Sequence, residues 1–160
     1  MRIRFTLNGR RVEVDAPPHI TLLELLRNYL RTTGVKRGCE TGECGACTIL
    51  MDGKPVNSCL ILAPMAEGAE IVTVEGLAED GRLHPIQEAF IEENALQCGY
   101  CTPGFLITAK ALLDRVPEPS VELVKDALTG NICRCGAYRM IISAVLRASE
   151  KMRTTSASQG

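Results

Sequence analysis

Residues 38–48 read Gly38-Cys39-Glu40-Thr41-Gly42-Glu43-Cys44-Gly45-Ala46-Cys47-Thr48. The stretch has no hydrophobic periodicity, so it reads as a loop, and it gathers three cysteines with three glycines. The cysteines are spaced C-x4-C-x2-C, and eleven residues separate Cys47 from Cys59. On its C-terminal side Thr48 to Met51 reads as a strand. Asp52-Gly53 is a hairpin turn signal, and Val56 to Leu62 is the return strand that brings Cys59 back to the loop. On its N-terminal side, Ile3, Phe5 and Leu7 alternate with polar residues, the period of a half-buried strand. Asn8-Gly9 tolerates the positive φ angles of a tight hairpin, and Val12 and Val14 form the returning strand. Pro17-Pro18 breaks the run. Thr21 and Glu24 fit a capping box, with Leu22, Leu25, Leu26 and Tyr29 on one helical face and Gly34 as a stop. Glu70 to Val74 is a further β-branched strand.

Four thiolates around a glycine-rich loop can hold a binuclear iron–sulfur cluster. Its sulfides are electron-rich and accept backbone N–H hydrogen bonds, so the chain must curl with its amides inward. Gly38, Gly42 and Gly45 permit that curl. The spacing is that of plant-type [2Fe–2S] ferredoxins. Zinc also takes four cysteines, but usually from two short knuckles rather than three ligands in one loop and a fourth alone.

The second half changes character. Pro85 begins a helix, and Pro103 suits the first turn of another. The stripe Phe105, Leu106, Ala109, Leu112 and Leu113 is expected to be core. Pro117 and Pro119 end that helix. Ser120 caps one that stops at Gly130, and Ile141, Ile142, Ala144, Val145 and Ala148 mark the last. Cys98 and Cys101 form C-x2-C, and Cys133 and Cys135 form C-x-C. Both pairs sit at helix junctions, where N-terminal amides favour a negative cluster. Spacing alone leaves zinc, a dithiol pair and iron–sulfur open here.

The chain has 160 residues, 8 cysteines, 46% hydrophobic and 23% charged residues and a net charge of −1. That composition excludes wholesale disorder. Basic and acidic side chains balance in both halves, so no nucleic-acid or anionic-membrane surface is expected. Eight cysteines could pair as four disulfides, but only in an oxidising compartment. The N-terminal stretch alternates polar and apolar residues and lacks a signal-like apolar core. Arg10-Arg11 is followed by no apolar run. The longest apolar runs, such as Cys59 to Ala66, fall well short of the ~18 residues of a membrane span. A cytoplasmic, reduced, metal-holding chain is the expectation.

Taken together, Gly38 to Thr48, Gln97-Cys98-Gly99-Tyr100-Cys101-Thr102-Pro103-Gly104 and Gly130-Asn131-Ile132-Cys133-Arg134-Cys135 resemble the two motifs of a known family. It comprises the small iron–sulfur subunits of xanthine oxidase-type molybdenum hydroxylases, which include carbon monoxide dehydrogenase, 4-hydroxybenzoyl-CoA reductase, and aldehyde and N-heterocycle oxidoreductases. The resemblance covers about residues 1–150. It implies an α+β chain: a ferredoxin-like β-grasp domain followed by a small helical-bundle [2Fe–2S] domain. The composition shift near Gly76–Gly81 puts these domains at 1–75 and 76–152, and the small, polar residues 153–160 read as a frayed tail. The resemblance implies one [2Fe–2S] on Cys39, Cys44, Cys47 and Cys59 and a second on Cys98, Cys101, Cys133 and Cys135. It further implies a large molybdopterin-binding partner, a medium FAD-binding partner and a dimer of heterotrimers. By position, Gln97 matches the glutamine that hydrogen-bonds the pterin, and Cys135 the ligand that touches the pterin amino group. The second cluster would lie beside the pterin and the first on the flavin side. Many members read Cys-Arg-Cys-Thr-Gly-Tyr where this chain has Gly136-Ala137-Tyr138. The change removes a hydroxyl and is similar to some aldehyde- and N-heterocycle-oxidising members.

The expected role is electron transfer, one electron at a time, with no substrate-converting site in this chain, since no nucleophile–base pair or phosphate-cradling loop is present. A free-standing two-cluster ferredoxin is the alternative, and a zinc-binding interaction module a further one. His19 and His84 read as turn or surface residues. Arg134, between two ligands, either raises the cluster potential or reaches a partner or solvent. Glu40 and Glu43 read as solvated loop charges, and Tyr100 as a packing residue beside a cluster.

Overall fold

The computed structural model describes residues 1–157 of the chain. Strands β1 (Arg2–Leu7) and β2 (Arg10–Asp15) form an antiparallel hairpin. At its tip Asn8 and Gly9 take φ of 49° and 76°, the left-handed pair that a two-residue turn demands. The second hairpin, β3 (Thr48–Met51) with β4 (Lys54–Asn57), turns on Asp52 and Gly53 in the same way, with φ of 51° and 75°. Strand β5 (Glu70–Val72) joins them, parallel to β1 and antiparallel to β3, and the sheet order is β2-β1-β5-β3-β4.

The sheet alternates with period two, and each face has its own core. Ile3, Phe5, Ile49 and Ile71 bury into one cluster with Leu22, Leu23, Leu25 and Leu26. Leu50 and the half-buried Val72 point the other way, into a cluster built by the helices α2 (Pro85–Glu92), α3 (Thr102–Arg115), α4 (Val121–Ala127) and α5 (Tyr138–Ala157). Residues Gly104 to Ala109 of α3 are buried without a break. A helix apolar all round is one packed on several sides. Here α3 lies against β3 and β4 on one side and against α2, α4 and α5 on the others.

Several expected elements end differently. The return strand stops at Asn57, because Ser58 turns inward. Its N–H and hydroxyl both donate to the Cys47 carbonyl, at 3.3 and 2.8 Å, and Ser58–Leu60 is a 3-10 turn carrying Cys59. Strand β5 stops at Val72, because the Asn8 side chain takes the Thr73 N–H at 2.9 Å, and Val74–Gly76 forms a 3-10 turn. The helix α1 (Leu22–Glu24) is capped by the Thr21 hydroxyl at 3.1 Å and widens into a π-helical turn at Leu25–Tyr29. That winding carries Tyr29 off the leucine face, and it is 42% exposed. The segment 153–157, expected to be frayed, is helical as the end of α5, while 158–160 lie outside the described residues. Among the described residues no helix is long and apolar enough to cross a membrane.

Candidate iron–sulfur centres

The loop 38–47 curls around sulfur. Three backbone amides, of Thr41, Glu43 and Cys44, donate to Cys39 Sγ at 3.3–3.4 Å, and the Cys39 amide donates to Cys44 Sγ at 3.4 Å. A concavity of inward amides stabilises negative charge. The Cys39 thiol is correspondingly drawn down to about 6, first by the Thr41 side chain and then by the Thr41 and Cys44 amides. Gly38 passes so close that a Cβ there would sit 2.6 Å from Cys44 Sγ. Cys47 and Cys59 are buried beneath the loop. Burial, then the neighbouring Cys47 thiol, pushes Cys59 up to about 12. Exposed, preformed thiolate character on one side of the loop and buried thiols on the other suit a group that brings its own positive charge.

The second set forms where helices begin. Cys101 is the N-cap residue of α3, with Pro103 inside its first turn. Burial, followed by the Cys133 thiol, pushes Cys101 up to about 12, and the Cys98 sulfur adds to the shift. Burial also acts on Cys133, but amides of Ala137, Cys135 and Gly136 and the Cys101 thiol outweigh it, and its net shift is downward. The Ala137 amide reaches Cys133 Sγ at 3.4 Å and the Tyr100 amide reaches Cys98 Sγ at 3.5 Å. Cys98 and Cys135 are exposed. Gln97, also exposed, donates from Nε2 to the Cys135 carbonyl at 3.4 Å.

Cys44 is therefore drawn to Cys39, Cys59 to Cys47, and Cys101 to Cys133, while Cys135 joins its set through its backbone. Among the described residues no three His, Cys, Asp or Glu side chains gather around a point that could hold one metal ion. A binuclear cluster spreads its thiolates over two irons and needs no such point. All eight cysteines are free thiols. The soft donor set and the amides aimed at sulfur fit an iron–sulfur group in each set.

The two sets touch. The Ile132 amide, one residue before Cys133, donates to the Cys44 carbonyl at 2.9 Å. The Tyr100 hydroxyl donates to the Arg37 carbonyl at the mouth of the first loop, so this half-exposed tyrosine bridges the loops and is not core. Arg134, His19 and Glu43 are exposed, and Glu40 pairs with Arg37 at 2.6 Å. His84 is the N-cap of α2, a role that reading it as a turn or surface residue misses. Its Nδ1 accepts from the Ile86 amide at 3.1 Å, and Gln87 Oε1 reaches back to the His84 amide at 2.9 Å. Pro85 and Gln87 after His84 are the sequence signal for that cap.

Comparison with known proteins agrees with this geometry. Residues 5–78 match the family described as the 2Fe-2S iron-sulfur cluster binding domain, and residues 73–146 the [2Fe-2S] binding domain. The chain is 48% identical to the nicotinate dehydrogenase small FeS subunit of Eubacterium barkeri, over 93% of this chain and 95% of that protein. It is 53% identical to the nicotine 6-hydroxylase small subunit of Paenarthrobacter nicotinovorans, over 92% and 89%. Among solved structures, quinoline 2-oxidoreductase from Pseudomonas putida 86 superposes with a TM-score of 0.93 at 45% identity, covering 96% of both chains. A ferredoxin-like sheet and a helical half, each matched to a [2Fe–2S]-binding domain, and relatives that are subunits of dehydrogenase complexes leave one family: the chain belongs to the small iron–sulfur subunits of the molybdenum hydroxylases of the xanthine oxidase type, the electron-transfer subunits of those oxidoreductases.

Proposed function

We propose that Cys39, Cys44, Cys47 and Cys59 hold one [2Fe–2S] cluster in a domain spanning residues 1–75, and Cys98, Cys101, Cys133 and Cys135 the other in a domain spanning 76–152. The observation that carries this reading is the aim of backbone amides at sulfur within each set, from Thr41, Glu43 and Cys44 to Cys39 in the first and from Tyr100 to Cys98 and Ala137 to Cys133 in the second. The 2.9 Å hydrogen bond from the Ile132 amide to the Cys44 carbonyl holds the two sets adjacent. Each cluster, when bound, accepts and releases one electron. The chain's own residues fix the sulfurs, stabilise their negative charge with amide hydrogen bonds and hold the loops adjacent. Exposure of Gln97 and Cys135 on one surface supports a pterin contact there by a large molybdopterin-bearing partner. The exposed Cys39 side of the first loop suits a medium FAD-bearing partner, within a dimer of heterotrimers. Eight unpaired thiols support a cytoplasmic setting. Relatives named for nicotinate and nicotine, and a solved one for quinoline, support an N-heteroaromatic substrate oxidised on the partner chain.

The test is a native preparation assayed for iron, acid-labile sulfide, zinc and molybdenum together with the reduced EPR spectrum. Two distinct [2Fe–2S] signals with stoichiometric molybdenum are expected. A colourless zinc protein would sink the reading, and two signals in a chain that purifies alone would favour a free carrier. Gln97→Ala is expected to keep both signals while slowing turnover of the assembled complex. Unchanged turnover would remove the pterin contact.

A further inference from the structure

We propose that Asn131 is a positioning residue for electron passage between the two sulfur sets. Its side chain is 5% exposed and is bonded at both ends, one bond crossing the junction and the other anchoring it to α3 in its own half. Nδ2 donates to the Gly45 carbonyl at 3.1 Å, and Oδ1 accepts from the Thr108 hydroxyl on α3 at 2.8 Å. The Gly45 carbonyl can only accept and so demands a donor, and the Thr108 hydroxyl, as oriented here, donates to an acceptor, so one short side chain serves as both. An amide supplies both, and a carboxylate supplies only acceptors at neutral pH. The space is cut to fit it. A Cβ on Gly45, whose φ is +68°, would lie 2.2 Å from the Gly130 carbonyl, and a Cβ on Gly104 would lie 2.3 Å from the Gly45 carbonyl. The Gly45 carbonyl is further fixed by the Thr48 hydroxyl at 2.7 Å and the Thr48 amide at 3.1 Å.

A buried asparagine bonded at both ends of its amide is ordinarily a device for fold specificity. What distinguishes Asn131 is where its contacts lead. Gly45 follows Cys44, and Ile132, which donates to the Cys44 carbonyl, separates Asn131 from Cys133. The Asn131 bond therefore sets the position of the backbone hydrogen bond from Ile132, the neighbour of Cys133, to the Cys44 carbonyl. A buried polar network satisfied at every member is rigid, and a rigid junction keeps the separation of the two sulfur sets constant.

This inference rests on the assignment of the cysteines to two clusters. The experiment is Asn131→Asp in the intact complex. It reads three things: the magnetic splitting between the two fully reduced clusters by EPR, hydrogen exchange at the Ile132 amide, and the rate at which the second cluster passes its electron on. Both EPR signals should persist with smaller splitting. Ile132 exchange should become about tenfold faster while α3 amides stay protected, and electron passage should slow about tenfold. Thr108→Val, close in shape and leaving the bond to Gly45, should shift all three the same way by less, and it serves as the test should the aspartate variant fail to fold. Unchanged splitting and exchange would overturn the proposal, and so would loss of either cluster signal, which would make Asn131 a builder of one site. A wild-type complex with a single signal would instead overturn the two-cluster assignment beneath it.

Discussion

The two halves hold their thiols by different means. In the sheet half, four amide-to-sulfur bonds line one short loop, and the last cysteine arrives from a hairpin partner. In the helical half, amides reach sulfur at separate chain positions, Tyr100 to Cys98 and Ala137 to Cys133, and the two cysteine pairs lie far apart in sequence. The first half achieves convergence locally through backbone curl, whereas the second achieves it through packing of α3 against its neighbours. A local device should survive damage elsewhere, and a packed one should not.

The largest expected effect follows directly. Cys44→Ser should abolish one EPR signal and leave the other, because each half carries its own sulfur set. Cys101→Ser should do the reverse. Loss of both signals from either variant would show that the sets do not assemble independently.

Next in size come core truncations that distinguish the two faces of the sheet. Ile49→Ala and Leu50→Ala are neighbours on β3, and each should cost about 2–5 kcal/mol. Ile49 is buried in the sheet half's own core and Leu50 in the helical core. Leu50→Ala should therefore loosen the second cysteine set, read as faster loss of the second cluster's EPR signal under denaturant. Ile49→Ala should act on the first. Identical behaviour of the two signals would mean that the halves unfold as one cooperative unit.

A smaller contrast separates backbone strain from crowding. Gly53, with φ of +75°, and Gly45, with φ of +68°, share a left-handed conformation. Around Gly53 a Cβ meets open space, so Gly53→Ala should cost only ~1 kcal/mol. Around Gly45 it meets the Gly130 carbonyl at 2.2 Å, so Gly45→Ala should cost more, about 2–3 kcal/mol, and should also disturb the junction. Equal costs by thermal unfolding would remove crowding as the reason for Gly45.

What was legible in the sequence was local. Asn8-Gly9 and Asp52-Gly53 marked both hairpins because only a few residue pairs accept those φ angles. The C-x4-C-x2-C loop, Pro103 in the first turn of α3 and the Ser120 cap were visible because neighbouring residues carry each of them. What could not be read depended on distant partners. Asn131 meets Gly45 across 86 residues, and nothing near either residue announces it. The early ends of β4 and β5 come from Ser58 bonding the Cys47 carbonyl and Asn8 bonding the Thr73 amide, partners distant in sequence. Tyr100 read as a packing residue because its hydroxyl's partner, Arg37, lies 63 residues away.

The smallest expected effect concerns His84, which caps a helix in the half that relies on packing. Its Nδ1 lone pair accepts the Ile86 amide, so only the neutral ring can cap. Burial lowers its pKa, Lys110 lowers it further, and Asp114, Glu79 and Glu88 act in the opposite sense without reversing the shift. A histidine whose folded pKa is depressed binds fewer protons when folded than when unfolded. Its contribution is therefore complete above the unfolded value of about 6.5 and is lost as pH falls through the folded pKa. His84→Asn keeps a neutral capping acceptor that does not titrate. The stability difference between wild type and His84→Asn, measured on cluster-loaded protein by denaturant unfolding, should be constant above about pH 7 and should shift in favour of the variant below about pH 6.5. Because both proteins carry the same clusters, acid loss of iron cancels in that difference. Parallel curves across the range would show that the cap does not depend on the histidine proton.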